Sequence, residues 1–368
     1  MDENKYQVID PDNEKYKLTA KDILDDTKAK KKKKRRKRIL VALISLFLVF
    51  AIIFGTGAVI FNNYLNKMNF GDSTGEVDPA IDTEESIEFE NQADADADIR
   101  ANLDDNVLWY DDRIYNILLV GTDYGDRKDG KYDNYLTRSD SMILLSINTI
   151  DNVINMVSLS RAAYVAIPGR GNKRLNAAHA YGGANLLVET IEKNYKIRID
   201  KYVTVNFDGF QSIVDALNGV SVNLTAQEAS IIVGKAKAGT YELNGEKAMA
   251  YARLRSIDSD RKRTGRQRAI LNAMAVKLRQ ASVSQLFDLL DVFLPLVTTN
   301  FTKAELIEQM TNVPKYLKMS VHEDIIPYKA LPLTMRDGKE VLILNWEETN
   351  AHTHDLLYPG IIPQSAKE

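Results

Sequence analysis

Residues 39–61, ILVALISLFLVFAIIFGTGAVIF, carry no charge over 23 positions, and no other feature restricts the fold as strongly. As a helix the run extends about 35 Å, enough for a hydrocarbon core of about 30 Å. It reads as one transmembrane helix that divides the chain. A cleaved signal peptide fits less well. The apolar run is long, begins only at residue 39, and has no clear small-x-small cleavage site behind it. Just before it, ten of the eleven residues of KAKKKKKRRKR (28–38) are Lys or Arg. By the positive-inside rule, residues 1–38 are then cytoplasmic and everything after residue 61 is outside. The basic run suits anionic headgroups, and no nucleic-acid partner is expected.

The net charge of −3 averages over unlike parts. Residues 1–61 hold 14 basic and 8 acidic side chains, residues 62–112 hold 2 and 15, and residues 113–368 hold 32 and 28. The middle segment, with ADADADIRANLDD and TGEVDPAIDTEESIEFE, has an acidic composition that rarely builds a core. It is expected to be a solvated extracellular linker, with residues 113–368 forming one outer domain. The chain has no cysteine, which excludes disulfides and thiolate chemistry.

In the outer domain, IYNILLVG (114–121) ends in a compact apolar run typical of a buried strand. SMILLSINTI (141–150) and NVINMVSLS (152–160) read as two strands joined by a tight turn at Asn148–Asn152. ANLLVETIEKNY (184–195) places Leu187, Ile191 and Tyr195 on one helical face. KYVTVNF (201–207) is a strand, DGFQSIVDALNGV (208–220) a short helix ending at Gly219, and GEKAMAYARL (245–254) a further helix. SQLFDLLDVFLPLV (284–297) and TKAELIEQMTNV (302–313) suggest two more helices. KMSVHEDIIPY and KEVLILNW suggest late strands of the same domain. The fold class is α/β (α+β), a central mixed sheet flanked by helices and preceded by one transmembrane helix.

YARLRSIDSDRKRTGRQRAIL (251–271) is dense in arginine. Thr264 with Gln267 three residues later matches a capping box, which would start a helix there and place Arg263 and Arg266 at its positive end. Such charges call for an anion. The planar guanidinium fork fits phosphate in a bidentate way that lysine cannot. Arg253, Arg255, Arg261, Arg263, Arg266 and Arg268 therefore suit phosphate or carboxylate recognition, although a helix face laced with salt bridges has the same composition. Asp123 follows one strand and Asp140 precedes the next, where carboxylates can hold an oxygen-seeking cation. Arg161 ends the third strand and can point to the same rim. The loop between the aspartates lacks phosphate-loop spacing. His179 suits a structural role, and His352 with His354 is a weak zinc pair.

Together these pieces resemble the LytR–CpsA–Psr family. The pattern is carried by NILLVGTD (116–123), RSDSMILLSIN (138–148), SLSR (158–161), YVAIPG (164–169), LNAAHAYGG (175–183), VNFDGF (205–210), GVSVNL (219–224), LNGEKAMAYARLR (243–255) and RTGRQRAIL (263–271). The ordered motifs span residues 114–280. The resemblance implies a membrane-anchored phosphotransferase with an extracellular catalytic domain. Such enzymes move an anionic glycopolymer, such as teichoic acid or capsule, from a polyprenyl-pyrophosphate carrier to peptidoglycan muramic acid. The bond formed is a phosphodiester, in Gram-positive walls. A divalent cation, Mg2+ or Mn2+, and an apolar tunnel for the lipid are implied as well.

Carried over by motif, Asp123 and Asp140 become metal-binding or base carboxylates. Arg138, Arg161, Arg253, Arg255 and Arg266 become pyrophosphate contacts, joined by Arg263 and Arg268, and Arg161 is grouped with the aspartates as catalytic. Phe207, Phe210, Val214 and Leu217 suit either the lipid site or a plain core. The chain departs from the pattern at Ala162, where an acidic residue commonly follows the arginine. It departs again at Gly265, where Glu is frequent, and in a longer Asp123–Asp140 loop. The Arg and Asp set alone fits two other readings, a pyrophosphate hydrolase and a non-catalytic, attenuator-like binder of polyanions or wall lipids.

Overall fold

The structure is a computed structural model. It describes residues 107–122, 136–254, 260–280, 294–316, 318–334 and 340–361, together with 69–70, 76–77, 81, 88–89, 91–104, 257 and 292. The basic tail, the 39–61 span, Asp123, Arg255 and most of the 284–297 segment lie outside the described residues. Among the described residues no helix is long and apolar enough to cross a membrane.

In chain order the elements are β1 (Asn69–Phe70), α1 (Gln92–Asp104), β2 (Ile114–Thr122), β3 (Ser139–Asn148), β4 (Val153–Leu159), β5 (Tyr164–Ile167), β6 (Gly171–Arg174), α2 (Ala177–Tyr195), β7 (Lys201–Asn206), α3 (Phe207–Ala216) and β8 (Val220–Leu224). They continue with α4 (Ala226–Val233), β9 (Gly239–Leu243), α5 (Gly245–Arg253), α6 (Asp260–Gln280), β10 (Val297–Thr299), α7 (Lys303–Tyr316), β11 (Ser320–Ile326), β12 (Leu331–Thr334), β13 (Glu340–Ile343) and α8 (Trp346–Leu357).

A seven-stranded sheet runs β1-β10-β7-β2-β3-β4-β11. It is mixed: β2 pairs parallel with β7 and antiparallel with β3, and β4 pairs parallel with β11. The turn read at 148–152 is present, with Asn148 paired to Val153. Asn148 Oδ1 accepts the N–H groups of Ile150 and Asp151, and Asn152 takes a positive φ of 55°. A short amide side chain that bonds its own backbone favours such turns.

One face of the sheet is filled. Leu118, Val120, Leu144, Val157 and Tyr202 are buried in a cluster that also contains Leu187 and Ile191 of α2 and Ile99 of α1. The helix read at 184–195 is the second half of α2, which kinks at Gly182 and Gly183, the latter with φ 64°. The opposite face carries a second cluster, formed by Val214, Val220, Leu243, Ala248, Tyr251 and Ile270. Gly245 is needed there, because a Cβ at that position would lie 2.3 Å from the Gln211 carbonyl oxygen.

Three expectations are corrected. Residues 92–104 are a docked helix rather than solvated linker. Ala95 and Ile99 fall one turn apart on a single face and are buried, while Asp96 accepts from Tyr164 Oη at 2.9 Å and Asn172 Nδ2 at 2.8 Å. A composition average hides an apolar pair at helical spacing, and the alanines at 93, 95, 97 and 101 favour helix. Around Pro295, residues Leu294–Leu296 form a 3-10 turn leading into β10 rather than an α-helix, as expected where proline removes a backbone donor. Finally, the capping box at Thr264 is absent. α6 begins at Asp260, so Thr264 lies inside the helix and its Oγ1 donates to the Arg261 carbonyl at 3.0 Å. The motif is local and cannot forbid the Arg261–Arg263 residues, good helix formers, from extending the helix upstream. A complete box exists instead at Thr225–Glu228, the start of α4.

Candidate active site

Alternation along the central strands builds a floor. Leu119 pairs with Val203 on one side and Ile143 on the other, and Gly121 pairs with Val205 and Ser141. These two cross-strand rows face away from the filled core, since successive residues point to opposite faces. A Cβ on Gly121 would come within 3.1 Å of Ser141 Cβ, so the second row is kept low by the absence of a side chain. Phe207, Phe210 and Ile213 of α3, Met249 of α5, and Leu271 and Met274 of α6 close over the rows. They enclose a cavity of about 520 Å³.

Polar groups enter where the strands end. Asp140, one residue before Ser141, accepts from Arg161 Nη1 at 2.8 Å. Both side chains stay about a quarter exposed, at 26% and 25%. Arg253, the last residue of α5, lays its guanidinium 4.6 Å from the centre of the Phe207 ring, within cation–π reach. Asn206 caps α3 by accepting from Gly209 N–H at 2.8 Å. Arg263 is 2% exposed and reaches the cavity from α6. Gln267, one turn later, accepts from Ser141 Oγ at 3.1 Å.

Helical phase sorts the arginines. At 3.6 residues per turn, positions 263, 267, 271 and 274 share one stripe, and all four line the cavity. Arg266 is rotated out of it. Its Nε donates to Glu228 Oε1 at 2.7 Å and its Nη1 to the Leu254 carbonyl at 2.7 Å, in a buried setting. Burial alone would raise the Glu228 carboxyl. The bonds from Arg266 and Thr225 outweigh it and hold Glu228 below the usual carboxylate range. Arg268 points away as well, to Glu323 Oε2 at 2.9 Å and Ser158 Oγ at 2.6 Å. Arg138 is half-buried just before β3 and does not line the cavity.

Of the sequence-derived site residues, the structure therefore gathers Asp140, Arg161, Arg253 and Arg263 around the cavity and turns Arg266 and Arg268 elsewhere. Phe207 and Phe210 line the cavity, whereas Val214 belongs to the second core cluster and Leu217 is buried outside the lining. Ser141, Gln267 and Gly121 were missed. Strand alternation from Leu119 and Ile143 and helical spacing from Arg263 were the signals that could have found them. The Ala162 carbonyl oxygen accepts from Leu342 N–H at 2.8 Å. His179 is buried with Nδ1 2.7 Å from the Thr137 carbonyl oxygen, and His354 stacks on Trp109 at 4.2 Å. His352 lies 3.1 Å from Asp324. Among the described residues no group of three or more His, Cys, Asp or Glu side chains could hold a metal.

The LytR_cpsA_psr family model matches residues 78–356. The chain belongs to the LytR–CpsA–Psr family. It is 35% identical over 181 residues to the polyisoprenyl-teichoic acid–peptidoglycan teichoic acid transferase TagT of Bacillus subtilis (strain 168), covering 47% of this chain and 56% of that protein. The chain thus spans little more than half the length of that relative. A TagU transferase of the same description from Oceanobacillus iheyensis is 36% identical over 228 residues, 60% of this chain and 68% of that one. Among solved structures, TagT bound to LI-WTA superposes with a TM-score of 0.54 at 28% identity, covering 67% of this chain and 93% of that one. The family protein YwtF (TagT) with bound octaprenyl pyrophosphate lipid gives 0.51 at 26% identity, covering 67% and 92%. These neighbours share the mixed sheet flanked by helices.

Proposed function

We propose that this family member is a membrane-anchored phosphotransferase that moves an anionic glycopolymer from a polyprenyl-pyrophosphate carrier to peptidoglycan. The carrying observation is one cavity with two chemistries: an apolar floor of Val203, Leu119, Ile143, Val205 and Gly121, edged by Asp140, Arg161, Arg253 and Arg263. An isoprenoid tail suits the floor and a pyrophosphate suits the guanidinium groups. The names of the relatives support the same substrates.

In the transfer, the acceptor hydroxyl oxygen bonds to the phosphorus that carries the glycan, and the bond from that phosphorus to the bridging oxygen breaks. Polyprenyl monophosphate leaves and a sugar phosphodiester remains. Asp140 takes the hydroxyl proton. Arg161, Arg253 and Arg263 neutralise the non-bridging oxygens, which is most of what phosphoryl transfer requires. The donor set suits Mg2+ or Mn2+, because a partly exposed carboxylate completed by phosphate oxygens is the usual habit of such ions. Asp140, with Asp123 on the sequence reading, would hold it, and it would supply further charge neutralisation. Residues 39–61 would anchor the domain to the outer face of the membrane.

The test uses the full chain in nanodiscs, with a polyprenyl-pyrophosphate glycan, peptidoglycan oligomers and Mg2+. Label on the acceptor with equimolar polyprenyl monophosphate is expected. Carrier cleavage without acceptor labelling would make the protein a hydrolase, and lipid binding without turnover a non-catalytic binder.

A further inference from the structure

Three residues after Arg161, β5 and β6 form a hairpin, registered Tyr164–Arg174, Val165–Lys173, Ala166–Asn172 and Ile167–Gly171. Gly169 and Gly171 take φ values of 70° and 73°, conformations that only glycine adopts without strain, and they hold exposed Arg170 between them at the tip. The Arg170 guanidinium lies 5.1 Å from the centre of the Tyr181 ring, and Lys173 Nζ lies 5.8 Å from the same ring.

Two like charges over one ring repel each other. The ring quadrupole offsets part of that cost. Several other cations meet carboxylates, as in Arg198–Asp200, Lys201–Glu305 and Arg268–Glu323. No described carboxylate forms an ion pair with Arg170 or Lys173. Asp96 does bond the hairpin, but through Tyr164 and Asn172, on the face opposite Lys173 by the alternation of the register. A preassembled pair of cations fits phosphate better than it fits solvent.

The hairpin is also wired to the cavity rim. Leu175 N–H donates to the Ala163 carbonyl and Asn176 N–H to the Arg161 carbonyl, at 2.8 and 3.2 Å. α2, which carries Tyr181, is tied through His179 to Thr137, three residues before Asp140. The four-residue strand carries the tip about 13 Å beyond its base. We propose that Arg170 and Lys173, held over the buried ring of Tyr181, bind repeating phosphates of the anionic polymer as it leaves the cavity, a polymer-length subsite separate from the pyrophosphate contacts. This rests on the transferase reading and adds a site to it.

The test compares wild type with the double variant Arg170→Ala, Lys173→Ala, as full chains in zwitterionic nanodiscs. Two carriers are used, one bearing a long sugar-phosphate polymer and one bearing a short uncharged glycan. The variant should raise KM for the polymer about tenfold with kcat unchanged and leave the short carrier unaffected. Equal KM values for the polymer in both proteins would overturn the subsite. Should neither protein turn over any carrier, the transferase reading fails, and direct binding decides the subsite alone. Titration with water-soluble poly(glycerol phosphate) should then show affinity about tenfold weaker in the variant, and unchanged affinity overturns the proposal. A loss seen only with phosphatidylglycerol vesicles would make the hairpin a membrane contact and also overturn it. Both proteins carry the 28–38 basic run, so it cancels in every comparison.

Discussion

The two faces of the central sheet are built from the same strands and do different work. Along β2, Leu118 and Val120 are buried in the filled core, while Leu119 and Gly121, between and beside them, form the floor of a cavity. Both faces are apolar, so both look like core in the sequence. They differ in what covers them. α1, α2 and α8 close directly onto one face, whereas α3, α5 and α6 make their own cluster above the other and leave space beneath. Apolar burial stabilises the first face. The second gives up part of that stabilisation and keeps a ligand-sized volume next to Asp140 and three arginines.

The contrast is sharpest at the reacting group. Asp140→Asn should lower turnover by about 10²- to 10⁴-fold with unchanged thermal stability, measured by acceptor labelling and calorimetry. Wild-type turnover in that variant would remove Asp140 from the mechanism. Arg266 offers the opposite case, an arginine of the same stretch that serves the fold. Glu228→Gln should cost about 3–5 kcal/mol in urea unfolding, because it strands a buried guanidinium. Glu228 is held below its ordinary value of 4.5. Its contribution is therefore full above that value and lost as pH falls below it, so the gap between wild type and variant should shrink in acid.

Paired truncations test the faces directly. Leu144→Ala, on the filled side, should cost about 2–5 kcal/mol. Leu119→Ala, already facing a void, should cost less than about 1.5 kcal/mol and weaken binding of polyprenyl pyrophosphate. Equal costs would show that the cavity is packed in solution. Val203→Phe should leave stability nearly unchanged and weaken lipid binding about tenfold, since it places a ring in otherwise empty volume. The smallest effect is expected at Gly265. A Cβ there would meet nothing nearer than Arg268 Nη2 at 3.9 Å, so Gly265→Ala should stabilise α6 by about 1 kcal/mol.

Much of the fold was legible. The strands at 114, 141, 152 and 201 were found because alternation and turn chemistry are local. The same locality misled at Thr264, where the capping pattern is present and the helix starts a turn earlier. It misled again at 92–104, where Ala95 and Ile99 are too few to register against the acids around them. Asp140, Arg161, Arg253 and Arg263 were nominated together with Arg266 and Arg268, because charge density does not record direction. Ser141 and Gln267 escaped because neither carries charge.

By itself, the sequence determined the uncharged 39–61 run, the strands at 114, 141, 152 and 201 with the helices at 184, 208 and 245, and the Arg and Asp chemistry of the motifs. Those follow from local composition and periodicity. Only the tertiary structure decided which arginines meet in the cavity, that one apolar sheet face is hollow, and that the acidic α1 belongs to the core. Each of these depends on where a helix starts and what packs across from it, and those are long-range facts that no single window of the chain contains.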